Sequence, residues 1–334
     1  MTISSSELRF DPRPSMQRVL LACLPGALAL LWFNGWGLLI QLLLAIVTCV
    51  ACDLLTRRLR GQPLTPKPHS LFEQPLLAEG SGLISALLLA LALPSYAPWW
   101  LTVASAAFAS LFGKALFGGF GNNPFNPAML GYAFALVAFP AQMVHWPTPG
   151  GSHDLLAGLQ QIFGFGPGLP DGWSQATVLD SLRHNDRLTV DELYASHPAF
   201  GSIGGRGVEW VNLAFLAGGL FLLQQKVIRW QAPVGMLGAL FVASLLCWNG
   251  SGSDSNGSPL LHLFSGATML GAFFIVTEPV SGPDSARGRL YFGIGAGLLT
   301  YVIRTWGGYP DGLAFAVLLM NLCVTRLDRL GAPR

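Results

Sequence analysis

The feature that most constrains this 334-residue chain is the recurrence of apolar runs from one end to the other. Runs lie at about 19–33, 37–55, 81–94, 97–113, 128–144, 208–224, 233–248, 260–277, 289–305 and 311–325. A helix needs roughly 17 to 25 apolar residues to cross a hydrocarbon layer, and in lipid only a helix or a closed barrel satisfies its own backbone. Composition removes a single soluble core: 52% of residues are AVILMFWYC and only 11% are charged, against about 25% charged in soluble domains. One core stops growing near roughly 250 to 300 residues. The surplus apolar surface must meet lipid. The chain is therefore predicted to be an all-α integral membrane protein with about ten transmembrane helices. Its 19 basic and 17 acidic residues are too evenly matched to make a polyanion-binding surface, so nucleic acid is not an expected partner.

Basic residues orient the spans, because Lys and Arg stay on the cytoplasmic side of short loops. With the amino terminus inside, 15 of the 19 fall on that side, leaving Arg183, Arg187, Arg206 and Arg304 outside. Both termini are then cytoplasmic. Arg9, Arg13 and Arg18 precede the first run like the positive flank of a signal sequence, but no A-x-A cleavage site follows. An uncleaved first membrane helix is expected. The one sizeable polar segment, about 145–207, faces the outer, periplasm-like side, and loops this long tend to be functional. Three regions follow: a membrane repeat at 1–144, a periplasmic loop at 145–207 and a second membrane repeat at 208–334.

The two halves echo each other. Leu21-Ala22-Cys23-Leu24-Pro25-Gly26 returns as Leu213-Ala214-Phe215-Leu216-Ala217-Gly218, Ser81-Gly82 as Ser265-Gly266, and Gly118-Gly119 as Gly307-Gly308. Five spans per half is odd, so the second half enters from the opposite side, giving two inverted five-helix repeats. Such repeats place sites near the midplane at broken helices. The short runs 81–94 and 265–279 are the expected discontinuous helices. Asn126 before Pro127 reads as an N-cap with proline at the first helical position, serving either helix initiation or a ligand at the exposed amides.

Chemistry-bearing residues are few. Cys49 and Cys52 form a lone C-x-x-C on one helix face, expected to be small buried apolar residues unless a partner chain completes a metal site. Intramembrane acids are costly and so functional by default, but Asp53, Glu278 and Asp311 stand near predicted interfaces, where water makes them tolerable and a structural role is expected; Glu278 is the one best placed to touch a coupling ion. On the outer loop, Asp171-Gly172-Trp173-Ser174-Gln175-Ala176-Thr177 reads as a turn that leaves a threonine hydroxyl exposed.

Across nearly its whole length the chain resembles RnfD (RsxD), a membrane component of the Rnf electron transport complex, and more distantly NqrB of the sodium-pumping NADH:quinone oxidoreductase. The resemblance rests on Trp32-Phe33-Asn34-Gly35-Trp36-Gly37, Gly121-Asn122-Asn123-Pro124-Phe125-Asn126-Pro127-Ala128-Met129, Trp210-Val211-Asn212-Leu213-Ala214, the run 265–274 and Gly307-Gly308-Tyr309-Pro310-Asp311-Gly312.

That resemblance implies covalent FMN on the threonine of a D-x-x-S-x-A-T motif outside the membrane. Asp171, Ser174, Ala176 and Thr177 meet the pattern, with Thr177 the attachment residue. Ser265-Gly266-Ala267-Thr268 mimics its end, but position 262 is His262 rather than Asp and the run is apolar. A periplasmic flavin transferase, also implied, would not reach Thr268. Trp173, Arg183, Arg187 and Arg206 are available to stack on the ring or meet the phosphate. The resemblance further implies a noncovalent riboflavin, other Rnf-type subunits in a hetero-oligomeric complex, a bacterial inner-membrane location, and electron transfer of the ferredoxin/NAD type coupled to ion translocation. No dinucleotide fingerprint is present, so the chain is not expected to be catalytic alone. The rival reading is a secondary transporter or channel for a small solute, which the inverted repeat and broken helices alone would favour.

Overall fold

A computed structural model of the protein describes residues 13–61, 81–119, 121–150, 154–165, 172–185, 187–309 and 311–331. Asp171 of the attachment motif lies outside these residues. The fold is helical, with one two-stranded ladder. Five elements come first: α1 (Arg13–Asn34), α2 (Gly37–Leu59), α3 (Ser81–Ala92), α4 (Trp99–Gly113) and α5 (Pro127–Ala138), closed by the single turn α6 (Pro140–Met143). The segment beyond holds β1 (Trp146–Pro147), α7 (Leu155–Phe163), β2 (Ser174–Gln175), α8 (Val178–Arg183) and α9 (Val190–Ser196). The last part holds α10 (Val208–Gln224), α11 (Gln231–Leu246), α12 (Pro259–Leu263), α13 (Thr268–Leu270), α14 (Ala286–Trp306) and α15 (Leu313–Gly331). A π turn over Gly271–Ile275 continues α13.

By length and composition, three helices among the described residues suffice to cross a membrane: Ser15–Asn34, Gly37–Leu59 and Trp99–Phe117. Four more, Ser81–Ala92, Pro127–Ala138, Val208–Gln224 and Gln231–Leu246, are apolar but shorter. Their outer faces are bare. On α1, Leu21, Leu24, Leu28 and Trp32 are all exposed, and their spacing keeps them on one stripe. Exposed Trp36, Trp99, Trp210, Trp230, Trp248 and Trp306 stand at or near helix ends, where amphipathic rings meet the headgroup region.

Lipid gives helices no hydrophobic reason to associate, so close backbone approach must hold them. α1 packs on α10, α5 on α15, α2 on α3 and α4, and α11 on α14. A Cβ built on Gly218 of α10 would lie 2.0 Å from the Ala22 carbonyl oxygen of α1; at Gly293 and Gly297 of α14 it would lie 2.2 and 2.3 Å from the Ala232 and Met236 carbonyls of α11. These glycines are contact points, not loose joints.

One local expectation, an interruption at Ser265-Gly266, is met and two change. The run 260–277 is a broken path: α12 ends at Leu263, Gly266 turns with φ 57°, and the chain resumes as α13 and the π turn. The run 128–144 stops at Ala138 because Pro140 cannot continue a helix. Within the segment 145–207 is a small folded unit, with Val178, Leu179, Leu182, Val190, Leu193, Ala199 and Phe200 buried together with Leu261 of α12. Its helices are of six and seven residues, too short to show periodicity in sequence.

One of them carries a pH signature. Thr189 caps α9: its hydroxyl accepts the Glu192 N–H at 3.2 Å, and the Thr189 amide and hydroxyl donate to Glu192 Oε2 at 2.8 Å each. Those donors hold the Glu192 carboxyl below its usual range. A depressed folded value means that the cap's contribution is complete above the unfolded carboxylate range, near about 4.3, and is lost as pH falls through the lower folded value. Amide exchange at Val190–Leu193 should accelerate over that acid window relative to the intrinsic rate, and Glu192→Ala should remove the dependence.

Candidate functional site

Thr177 is the N-cap of α8. Its extended backbone (φ −67°, ψ 160°) turns the side chain back so that Oγ1 accepts the Asp180 N–H at 3.2 Å. The residues before it are pinned from two sides. β2 pairs antiparallel with β1, Gln175 opposite Trp146 and Ser174 opposite Pro147. Thr148 donates from its amide to the Trp173 carbonyl at 2.8 Å and from Oγ1 to the Gly172 carbonyl at 2.6 Å. Trp173 packs on Tyr96, ring centroids 5.1 Å apart, and Gly172 supplies the positive φ (83°) that the turn requires.

Thr177 and Ala176 border a cleft of about 1250 Å³, open solvent at its mouth included. The cleft runs between the outer unit and the helices: Leu30 of α1, Met129 and Tyr132 of α5, Asn212 and Phe215 of α10, and Ile275 of the π turn line it. Gln175 also lines it, with a buried Oε1 that lacks a hydrogen-bond partner among the described residues. Ser174 is exposed on β2. Of the loop side chains singled out from sequence, Arg206 borders the cleft, Arg183 instead donates to the Tyr309 carbonyl at 3.1 Å, and Arg187 is exposed elsewhere.

Thr268 occupies a different environment. It is fully buried, its hydroxyl lies 2.9 Å from both the His262 and Ser265 carbonyls, and it accepts from Arg304 Nη2 at 3.0 Å. Arg304 also donates from Nη1 to the His262 carbonyl at 2.9 Å and from Nε to Asp311 Oδ1 at 3.1 Å. Asp311 in turn accepts the Ala267 and Leu313 amides, each at 3.1 Å, which ties the broken segment to the start of α15.

The opposite end of the bundle is built on related lines. Lys114, just past α4, donates to the Ser81 carbonyl at 2.7 Å, as Arg304, in the last turn of α14, donates to His262. Asn126 caps α5 by accepting the Met129 N–H at 3.1 Å, with Pro127 at the first helical position. Its own amide donates to Asn321 of α15 at 3.1 Å. Glu278 accepts from Asn123 Nδ2 at 3.3 Å and from the Ser281 hydroxyl. Asp53 is half-buried, and a Cβ on Gly82 would stand 3.2 Å from its Oδ2. Cys49 is buried and Cys52 half-buried, and no group of three metal-ligating side chains occurs among the described residues.

Sequence reading missed Tyr132, whose apolar neighbours hide it, the place of Asn212 in the cleft, which it used only as part of a motif, and Glu209. The Glu209 Oε2 accepts the amides of Ser202 and Ile203 at 3.0 Å and of Gly204 at 3.3 Å. The signal was present: a glycine-rich turn, Gly201-Ser202-Ile203-Gly204-Gly205, directly before an acid in the first turn of a helix.

Apolar helices with bare outer faces, a bundle held by small residues and a cleft beneath a small folded unit define an all-α membrane protein. The NQR2, RnfD, RnfE family profile matches residues 9–334, and the chain belongs to that family. It is similar to the D-type subunit of the ion-translocating oxidoreductase complex of Pseudomonas aeruginosa strain LESB58, 57% identical over 322 residues that cover 96% of this chain and 91% of the relative. The protein of the same name from Ectopseudomonas mendocina strain ymp is 59% identical over 319 residues, covering 96% and 90%. The one from Aeromonas hydrophila is 47% identical over 336 residues, covering 96% and 93%.

Proposed function

We propose that this protein is a subunit of a membrane-bound complex that couples ferredoxin/NAD-type electron transfer to ion translocation across the bacterial inner membrane, and that it carries FMN as a phosphoester on Thr177. The observation that carries this reading is the Thr177 hydroxyl: it borders the cleft and, among the described residues, serves only as an acceptor. Esterification consumes an O–H proton, which the cap does not use. Thr268 offers no such freedom, being buried and bonded on every side. The cleft suits a flat amphipathic group, with apolar walls, the unpartnered Gln175 oxygen and the Arg206 cation at its border.

When bound, FMN would supply one- and two-electron transfer. The chain's own residues hold and shape the site: Thr177 anchors, Thr148 and the β1–β2 ladder fix the approach of the motif, and Tyr132, Phe215 and Met129 keep water from the inner wall. A covalent tether replaces a dissociation equilibrium by a fixed local concentration. The coupling is energetically reasonable. Moving one charge against about 150 mV costs roughly 3.5 kcal/mol, which a two-electron drop of roughly 75 mV supplies.

Ten spans in two inverted five-helix repeats, both termini cytoplasmic and the segment 145–207 periplasmic, complete the proposal. The distribution of Lys and Arg supports the orientation, and the matching roles of Lys114 at the start of α3 and Arg304 at the broken segment 260–277 support the repeat. Other Rnf-type subunits, a periplasmic flavin transferase and membrane lipid are the proposed partners; a noncovalent riboflavin belongs to the same proposal without assigned residues.

Co-expression with a flavin transferase, full denaturation and in-gel fluorescence test the attachment. Wild type should fluoresce and Thr177→Asn should be dark. Asparagine is an equally good N-cap, so loss of signal there reports the missing hydroxyl rather than a frayed α8. A dark wild-type band would instead favour the solute-transporter reading, whose support is the broken segment 263–268; a fluorescent Thr177→Asn band would move the attachment site.

A further inference from the structure

Charge is scarce around the cleft. Among its described lining residues, Arg206 and Asp311 are the charged ones. Asp311 is paired: Arg304 Nη2 lies 3.1 Å from its Oδ1, but the two partners face different surroundings. The carboxylate side chain keeps 18% of its surface open and the guanidinium 1%. The pair is thus a dipole whose negative end is turned toward the cleft and whose positive end is sealed behind it.

Its position relative to the attachment helix is fixed by contacts. A Cβ on Gly266 would lie 2.4 Å from Asp311 Oδ2 and 3.2 Å from Leu179 Cδ1, so Asp311 and the first turn of α8 meet at one glycine. Arg183, at the other end of α8, bonds the Tyr309 carbonyl two residues before Asp311. The helix that presents Thr177 is docked on the segment that presents the carboxylate.

We infer that Asp311, held by Arg304, is a positioning residue for charge: it sets the reduction potential of a flavin ring lying in this cleft. The inference rests on the attachment reading above. Two-electron reduction with uptake of one proton leaves a flavin ring one unit more negative, and a second proton cancels that charge. In a site where charges act through an effective dielectric of about 20, the partly open carboxylate opposes the negative product. Its removal, with Arg304 left in place, favours reduction.

The test uses the full chain, co-expressed with a flavin transferase and purified in detergent, with flavin loading scored by fluorescence after denaturation and the midpoint potential read spectroelectrochemically. Asp311→Asn should shift the oxidised–reduced equilibrium at least tenfold toward the reduced form, about 30 mV upward for two electrons. Arg304→Gln leaves the carboxylate unneutralised and should shift it at least tenfold the other way, so either variant decides should the other fail to accumulate. The double variant restores the charge balance and should return within about threefold of wild type. A loaded single variant with an unmoved potential, or a double variant displaced as far as Asp311→Asn, would overturn the inference. A wild-type band without flavin would overturn the attachment reading beneath it instead.

Discussion

Gly218→Val is expected to unseat α10 and abolish a monodisperse peak in detergent size exclusion. The Cβ would have to occupy a point 2.0 Å from the Ala22 carbonyl oxygen, with the Phe274 ring 3.3 Å away. The neighbouring Gly219 leaves no retreat, since its own Cβ position is 2.1 Å from the Phe273 ring. α10 is wedged between α1 and the π turn. A backbone carbonyl cannot rotate out of the way as a side chain can, so the penalty should reach the upper end of the overpacking range, about 3 kcal/mol or more. Gly238→Val on α11 is the control: nothing lies within 4 Å of its Cβ position, and its thermal midpoint should stay within a few degrees of wild type. Equal behaviour of the two variants would show that the α1–α10 crossing does not hold the bundle.

Glu209→Ala should loosen the outer unit while the helices stay folded. It strips the acceptor from three amides in the turn 202–204, and buried donors left unpaired cost about 1 to 3 kcal/mol each, so a loss of roughly 2 to 4 kcal/mol is expected after partial rehydration. Gly201 closes over the carboxylate, its Cβ position 2.8 Å from Glu209 Oε2. Limited proteolysis should therefore cut within 199–207 in the variant before it cuts wild type, with the membrane core intact. Gly205, Arg206 and Val208 line the cleft, so flavin loading should fall as well. Glu209→Gln keeps one acceptor and should be intermediate.

Much of this architecture is legible in the chain because lipid imposes a harsh rule on composition. Apolar runs located most helices, with ends off by up to about six residues at α1, α5 and α15, and Asn126-Pro127 announced a cap that forms as read. The break in the run 260–277 was legible as the Ser265-Gly266 pair, but what closes it was not: Arg304 and Asp311, both distant in sequence, satisfy the backbone groups that the break exposes. The cleft followed the same pattern. Thr177 stood out through its motif, whereas Tyr132 sits in a stretch that looks like any lipid-buried helix, and Asn212, legible only as part of a motif, reaches the cleft once α5 and α10 are brought together.

The two cations, Lys114 at the start of α3 and Arg304 at the broken segment 260–277, differ in kind as well as in side. Arg304 is a rigid planar fork, and its donors are spoken for by a carbonyl, a hydroxyl and a carboxylate in fixed directions. Lys114 is a compact point charge, itself buried, that bonds the Ser81 carbonyl and acts on both Asp53 and Glu278. The bundle therefore closes its two ends by different means: directional bonds from a planar fork on the Thr177 side, and one buried point charge shared between two acids on the other.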